Sequence, residues 1–410
     1  MSADAADAAA AATSPVAATQ TLPGYNRTAA DPDMLTPAAC TYILPAPIER
    51  RVVLIATAAI DKGAIFTNGL YQNVYIIYRL CEALGFLPFF LFNKTSAEPE
   101  PFLQDCRVLT VEGLLKNPIP VHVYMEIGMS IDQSFRRFLK ALGAKMVKLY
   151  LGNILNIDIE TIQFYPGMNF SHHVVGEMDE IWVSPHYEMH REYAGILNQV
   201  CDPAAAKIAP YVWDPCFISD HGARFPKWQA GGRETIVIME PNISFQKSAV
   251  VPLLALEARK RIDPSWNPRI ILINGDRLKV TPHFMENLLP QLSIQSNCEF
   301  RGRNRIVDIL TEAPGATFIC HQVNNEYNYM IMELLYCGFP VVHNGERWHD
   351  FGYYYTGSDA AALLAAYHKT RTHATDVAVY KSRAHTLFWR HSIHNPAVQM
   401  AWAELLGVAV

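Results

Sequence analysis

What the chain lacks narrows its class first. Its eight cysteines (Cys40, Cys81, Cys106, Cys201, Cys216, Cys298, Cys320 and Cys337) form no Cys-x-x-Cys pair and no Cys/His spacing of a metal cage. They read as small apolar residues of a reducing compartment, which excludes a disulfide scaffold. No apolar run approaches the roughly 18 residues that a membrane-spanning helix needs, so only peripheral membrane contact stays open. Charge is scarce: Asp, Glu, Lys and Arg make up 18% of the residues, and the formal net charge is -5. A protein that neutralises many phosphates along a nucleic acid carries the opposite sign, so nucleic acid is not an expected partner. A single nucleotide is a different case, because one or two local cations and a helix N-terminus hold it whatever the total charge. The Asp-x-Asp element that holds a divalent cation against a diphosphate is found only as Asp31-Pro32-Asp33. That copy lies in the N-terminal tail, so no metal and no separate cofactor are expected. The tail itself, rich in Ala and Thr, carries Asp4 and Asp7 where a secretory leader has positive charge, and a cytoplasmic location follows as an expectation.

Apolar material, by contrast, is abundant. Half of the 410 residues are hydrophobic, enough for two buried sheets, and the length exceeds that of one ordinary core. From Arg51 onward short β-rich runs alternate with longer helical patterns, the signature of doubly wound parallel sheets. RVVLIATAAI (51–60) and FLPFFLFN (86–93) read as strands flanking a helix. Further strands are expected at 120–126, 145–151, 180–184 and 208–213. Pro215, Pro226 and Gly231-Gly232 then interrupt the pattern before a second block with strands at 235–240, 269–275, 298–302, 316–322 and 339–344. Helices are expected over 248–261, 280–289, 306–312 and 329–337. The expected organisation is a flexible tail (1–45), a Rossmann-like domain (46–215), a linker (216–232), a second Rossmann-like domain (233–388) and a C-terminal helix (389–410) returning to the first domain. Two such domains facing across a cleft would bind ligand there.

The stretch NNEYNYMIMELLYCGFPVVHNG (324–345) carries the most chemistry. It reads as a polar loop leaving a strand, a helix bearing Glu333, then Gly338 and a buried strand. A carboxylate on such a helix accepts both hydroxyls of a ribose, since a vicinal diol offers two donors to two oxygens. The N–H groups opening the helix at Asn328 and Tyr329 seat a phosphate. Lys247, in Phe-Gln-Lys-Ser ahead of a helix, reads either as a phosphate ligand or as a solvated loop lysine. Asn324, Asn325 and Asn328 either bind sugar hydroxyls or make Asx turns. Arg303, with Arg301 and Arg305, reads as a diphosphate-facing cluster or as a solvated turn.

In the first block Glu126 ends a strand just before Gly128, which places a carboxylate at the C-terminal edge of the sheet. There it serves as a general base, as an acceptor contact or as a structural cap. His172 and His173 follow an irregular stretch and read as candidate catalytic imidazoles or as polar packers.

These segments together resemble the GT-B glycosyltransferases, especially the retaining enzymes with a Glu-x7-Glu donor motif. Glu333 followed by Gly338-Phe339-Pro340-Val341-Val342 is similar to the donor-binding end of that motif, although Asn325 stands where its first Glu belongs. PNISFQKSAVVPLLALEA (241–258) resembles the family's segment whose Lys contacts the donor phosphates, and Lys247 takes that place. IILINGD (270–276), EFRGRNRIVDIL (299–310), MDEIWVSPHYEMHREY and KIAPYVWDPCF follow in the family's order. Thr67-Asn68-Gly69-Leu70-Tyr71-Gln72-Asn73 is similar to a loop of an uncharacterised bacterial GT-B-like family, in which Asn68 would approach the donor sugar or the acceptor. The resemblance implies a GT-B fold and transfer of a sugar, without metal, from a nucleotide-sugar to a glycan or other hydroxyl acceptor. A sugar-nucleotide epimerase of the same fold and a non-catalytic nucleotide-binding protein are the alternatives.

Overall fold

The computed structural model describes residues 51–408 apart from 67, 97, 166, 168–176, 201 and 220–225. The expected tail, His172 and His173 lie outside these residues. The chain divides into two compact units, Met1–Phe217 with Trp389–Val410, and Ile218–Phe388.

The first unit is built on seven parallel strands: β1 (Val52–Ala56), β2 (Leu87–Phe92), β3 (Val108–Thr110), β4 (Val123–Glu126), β5 (Lys145–Tyr150), β6 (Glu180–Val183) and β7 (Ala206–Ile208). Their order is β3-β2-β1-β4-β5-β6-β7, so the winding reverses between β1 and β4. Every residue of β1 is buried because both faces of the sheet are covered. Val53 and Ile55 enter one core while Val52, Leu54 and Ala56 enter the other, as the two-residue period of a strand requires. Helix α1 (Gly69–Ala83) starts at Asn68, whose side chain accepts the N–H of Leu70. The last helix, Pro396–Leu405, sets Trp402 edge-on to Trp182 at 5.9 Å in the first of these cores.

The second unit holds six parallel strands: β8 (Thr235–Ile238), β9 (Arg269–Leu272), β10 (Cys298–Phe300), β11 (Thr317–Ile319), β12 (Val341–His343) and β13 (Tyr353–Tyr354). Here the order is β10-β9-β8-β11-β12-β13, with the reversal between β8 and β11. Both sheets are therefore doubly wound, as the alternating pattern implies.

Three details depart from the sequence reading. Strands β3 and β13 were not expected; each is short and lies at a sheet edge, where one neighbour suffices and little apolar sequence is needed. The strand expected over 208–213 ends at Ile208. Ala209 still donates its N–H to the carbonyl of Val183 in β6 at 2.9 Å, but the buried Tyr211, Val212 and Trp213 that follow lie outside the assigned strand, and the Trp213 N–H turns to the carbonyl of His391 at 2.9 Å. The helix expected over 280–289 begins only at His283, as a wide helical segment to Leu288, and a separate single-turn helix at Asp276–Lys279 precedes it. Pro282, which has no N–H to give, stands between them.

Candidate functional site

In doubly wound sheets, ligands bind beyond the carboxyl ends of the strands where the winding reverses. In the second unit that place lies between β8 and β11. Two residues beyond β8 stands Glu240, with no exposed surface. Its Oε1 accepts the backbone N–H of His321 at 2.9 Å, while Oε2 has no hydrogen-bond partner. The chain then turns through Asn242, held at φ 54°. Asparagine tolerates this left-handed conformation because its short amide bonds locally. Its Nδ2 donates to the carbonyl of Glu240 at 2.9 Å and its Oδ1 accepts the N–H of Ala249 at 2.9 Å, so one side chain closes both ends of the loop 241–249.

The same loop is stitched to the segment that leaves β11. Lys247 bridges Gln322 in an antiparallel pairing, and the N–H of Val323 donates to the carbonyl of Gln246 at 2.8 Å. Beneath these backbone bonds lie side chains with unmet polar atoms: Oε1 of Gln246 and both Oε1 and Nε2 of Gln322, on residues 4% and 5% exposed. With Oε2 of Glu240 they make four such atoms in one place. A buried polar atom without a partner costs about 1–3 kcal/mol, so this concentration makes the place a candidate seat for a polar ligand.

The electrostatics follow from the burial. Desolvation pushes the Glu240 carboxyl up to about 7, against the opposing pull of Lys247 and the His321 N–H. Desolvation likewise lowers the Lys247 ammonium, partly offset by Glu240 and then Cys320. Among the described residues no direct salt bridge joins the two, so the charges act across a gap. His321 donates or accepts at Nδ1 with the Tyr355 hydroxyl at 2.7 Å, and burial lowers its pKa so that the ring stays neutral.

Helix α2 (Tyr329–Tyr336) leaves the same strand end. Asn328 is its N-cap and accepts the N–H of Met330 at 3.0 Å. Glu333 is 6% exposed on a helix buried around almost its whole circumference, and Asn325 is half-buried in the loop before it. Lys247, Asn325, Asn328 and Glu333 thus stand on the two segments that leave β8 and β11. Arg303 does not: it follows β10, the edge strand two places from β8. Its basic neighbours are committed elsewhere, Arg301 to Glu299 and Glu312 and Arg305 to Asp308, while Arg303 itself is exposed.

In the first unit the reversal lies between β1 and β4, where Gly128 adopts φ 71° and a Cβ would collide with Leu70 of α1. Asn68 is occupied as the exposed N-cap of that helix. Glu126 is buried and heavily engaged. The Tyr124 hydroxyl donates to its Oε2 at 2.9 Å, Arg136 lies 3.8 Å from Oε2, and Lys148, its register partner on β5, lies 3.3 Å from Oε1. Of the three sequence readings of Glu126, general base, acceptor contact and structural cap, these contacts fit the structural one without testing the other two.

Glu240, Gln246, His321 and Gln322 were not singled out from the sequence. Glu240 had a readable signal, being an acid at the end of the apolar run TIVIM and just before Pro241, the same reasoning that selects Glu126. The glutamines had none, since only the pairing of the loop with the segment after β11 buries them. No group of three or more His, Cys, Asp or Glu able to hold a metal occurs among the described residues, and no helix there is long and apolar enough to cross a membrane.

Solved glycosyltransferases share this fold. A glycosyltransferase from Rickettsia africae matches 88% of the chain and 100% of its own length with TM-score 0.56 at 13% identity. The α,α-trehalose 6-phosphate synthase of Burkholderia multivorans matches 87% of the chain and 98% of its own with TM-score 0.52 at 11% identity. A T4 phage enzyme, BGT, solved with its UDP-glucose substrate, matches 87% and 100% with TM-score 0.50 at 10% identity. At these identities the likeness defines an α/β architecture of the GT-B kind. In sequence, residues 53–406 match the family described as "Protein of unknown function (DUF2827)", and the chain belongs to that family. No curated protein matches it.

Proposed function

We propose that the protein transfers a sugar from a nucleotide-sugar donor to a glycan or other hydroxyl acceptor, with the donor held at the reversal between β8 and β11. The observation that carries this reading is the polar cluster at that reversal: buried Glu240, Gln246 and Gln322 with unmet polar atoms, on and beside the loop where Lys247 pairs with the segment after β11 that leads to Asn325, Asn328 and Glu333. Lys247 and the N–H groups opening α2 supply the positive potential that a diphosphate needs, and Glu333 supplies two acceptors for a ribose diol. That set performs the charge balancing for which other enzymes use a divalent cation, so activity is expected to persist in excess EDTA. The GT-B architecture shared with enzymes such as the T4 phage protein and its UDP-glucose supports the same donor class.

The anomeric configuration of the product separates a retaining reaction from an inverting one, which would need Glu126, His172 or His173 as base. A thermal-shift series with nucleoside diphosphates and their sugars tests the reading. At least one nucleotide-sugar raises the melting temperature of the wild type and not of Lys247→Met. Absence of any shift across the series contradicts donor binding.

A further inference from the structure

The proposed donor seat contains a charge that an anionic ligand should not tolerate. Among the described residues Glu240, fully buried just beyond β8, is the carboxylate whose charge acts on Lys247, and a nucleotide diphosphate docking on Lys247 would bring two further negative charges toward it. We propose that Glu240 is a positioning residue that acts through Lys247, serving as its counter-ion in the unliganded protein and taking up a proton from solvent as the donor diphosphate replaces it. This inference rests on the donor-binding reading above and adds a proton to it. The step is balanced: one proton from bulk water joins the Glu240 carboxylate, and no other bond is made or broken.

The geometry supports this exchange. Oε1 is tied to the His321 N–H, which keeps the carboxyl in place, while Oε2 has no partner and is free to carry the proton. Glu240 and Lys247 interact without a direct salt bridge, so the lysine can turn to a ligand without breaking a short contact. The other titratable groups that feel Glu240 are Cys320 after β11 and Tyr355 after β13. Both are held protonated by burial, the thiol well above its ordinary range and the phenol raised as well. His321 presents its backbone N–H, and its ring is neutral. Apart from Lys247, whose ammonium is lowered by burial, none of these groups takes a proton near neutrality, and Glu240→Gln separates uptake at Glu240 from uptake at Lys247.

Calorimetric titration in pairs of buffers with different ionisation enthalpies counts protons bound per ligand. The probes are UDP-glucose, ADP-glucose, GDP-mannose and dTDP-glucose, whose diphosphate diesters do not themselves titrate near neutrality. For whichever binds, the wild type is expected to take up about one proton per ligand near pH 8 and close to none near pH 6, where Glu240 is already protonated. Glu240→Gln keeps an acceptor for the His321 N–H and is expected to bind with no uptake at either pH. Binding without uptake by the wild type near pH 8 overturns the inference and leaves donor binding intact. Undiminished uptake in Glu240→Gln, or loss of binding by a variant with a normal melting curve, also overturns it, the latter because it would make Glu240 a direct ligand. Failure of all four probes to bind overturns both readings. Should that variant not fold, Lys247→Arg decides: its guanidinium stays charged at every pH used, so uptake that persists near pH 8 belongs to Glu240, and uptake that disappears overturns the inference.

Discussion

Glu126 and Glu240 occupy comparable places in the two units, each a buried acid at the C-terminal edge of a strand beside the reversal of its sheet. Their surroundings differ in kind. Glu126 has two cations and a tyrosine hydroxyl around it, one of the cations in strand register, and so forms part of the framework of the first unit. Glu240 has one distant lysine, one backbone N–H and an oxygen with no partner. The difference teaches that burial alone does not mark a functional carboxylate. An unmet oxygen does not mark one either, since Oε1 of Glu126 also lacks a hydrogen-bond partner; what sets Glu240 apart among the described residues is that no cation stands in ion-pair contact with it, so its charge is left for a proton or an arriving group to balance.

The comparison can be broken most easily at Glu126. Replacing it by Ala leaves Arg136 and Lys148 buried without their shared counter-ion and is expected to cost about 3–5 kcal/mol in urea unfolding. A loss under about 1 kcal/mol would show that the cluster is not framework.

The second test uses pH. The Glu240 carboxyl is raised in the folded protein from 4.5 to about 7, so the folded state holds this proton more tightly than the unfolded state. Its contribution to stability is thus complete below pH 4.5 and is lost as pH rises through about 7. At about 1.4 kcal/mol per unit, the loss is on the order of 3 kcal/mol for a fully buried group. Glu240→Gln should flatten the stability profile across that window; an unchanged slope would assign it to other groups.

Lys247→Met sharpens the contrast. Removing a cation from Glu126 would strand a charge, but Glu240 can take a proton instead, so the expected loss of stability near neutral pH is only about 1–2 kcal/mol. A loss as large as that of Glu126→Ala would erase the distinction. The smallest effect is expected at Asn68, whose amide caps α1: Asn68→Ala should lower stability by about 1 kcal/mol, read as a small shift in urea midpoint.

Much of the fold was legible from the apolar runs, since buried parallel strands such as Val52–Ala56 and Thr235–Ile238 are nearly continuous stretches of Val, Ile and Leu. Edge strands β3 and β13 were not, because a strand of two or three residues carries too little periodicity to register. Among the candidate residues, Lys247, Asn325, Asn328 and Glu333 were readable as chemistry-bearing residues beside strand ends, and they lie on segments that leave the neighbouring strands β8 and β11. Arg303 was read as part of a basic cluster, diphosphate-facing or merely solvated, and the structure places it, exposed, after the edge strand β10. The glutamines Gln246 and Gln322 became visible only through the pairing of Lys247 with Gln322, a contact spanning 75 positions of sequence that no local pattern encodes.

A crystal structure of the protein with a bound nucleotide-sugar tests the central claim most directly. The account predicts diphosphate oxygens within hydrogen-bonding reach of Lys247 Nζ and of the N–H groups that open α2, with the ribose hydroxyls on Glu333. A nucleotide bound away from the β8–β11 reversal, touching neither Lys247 nor Glu333, would contradict it.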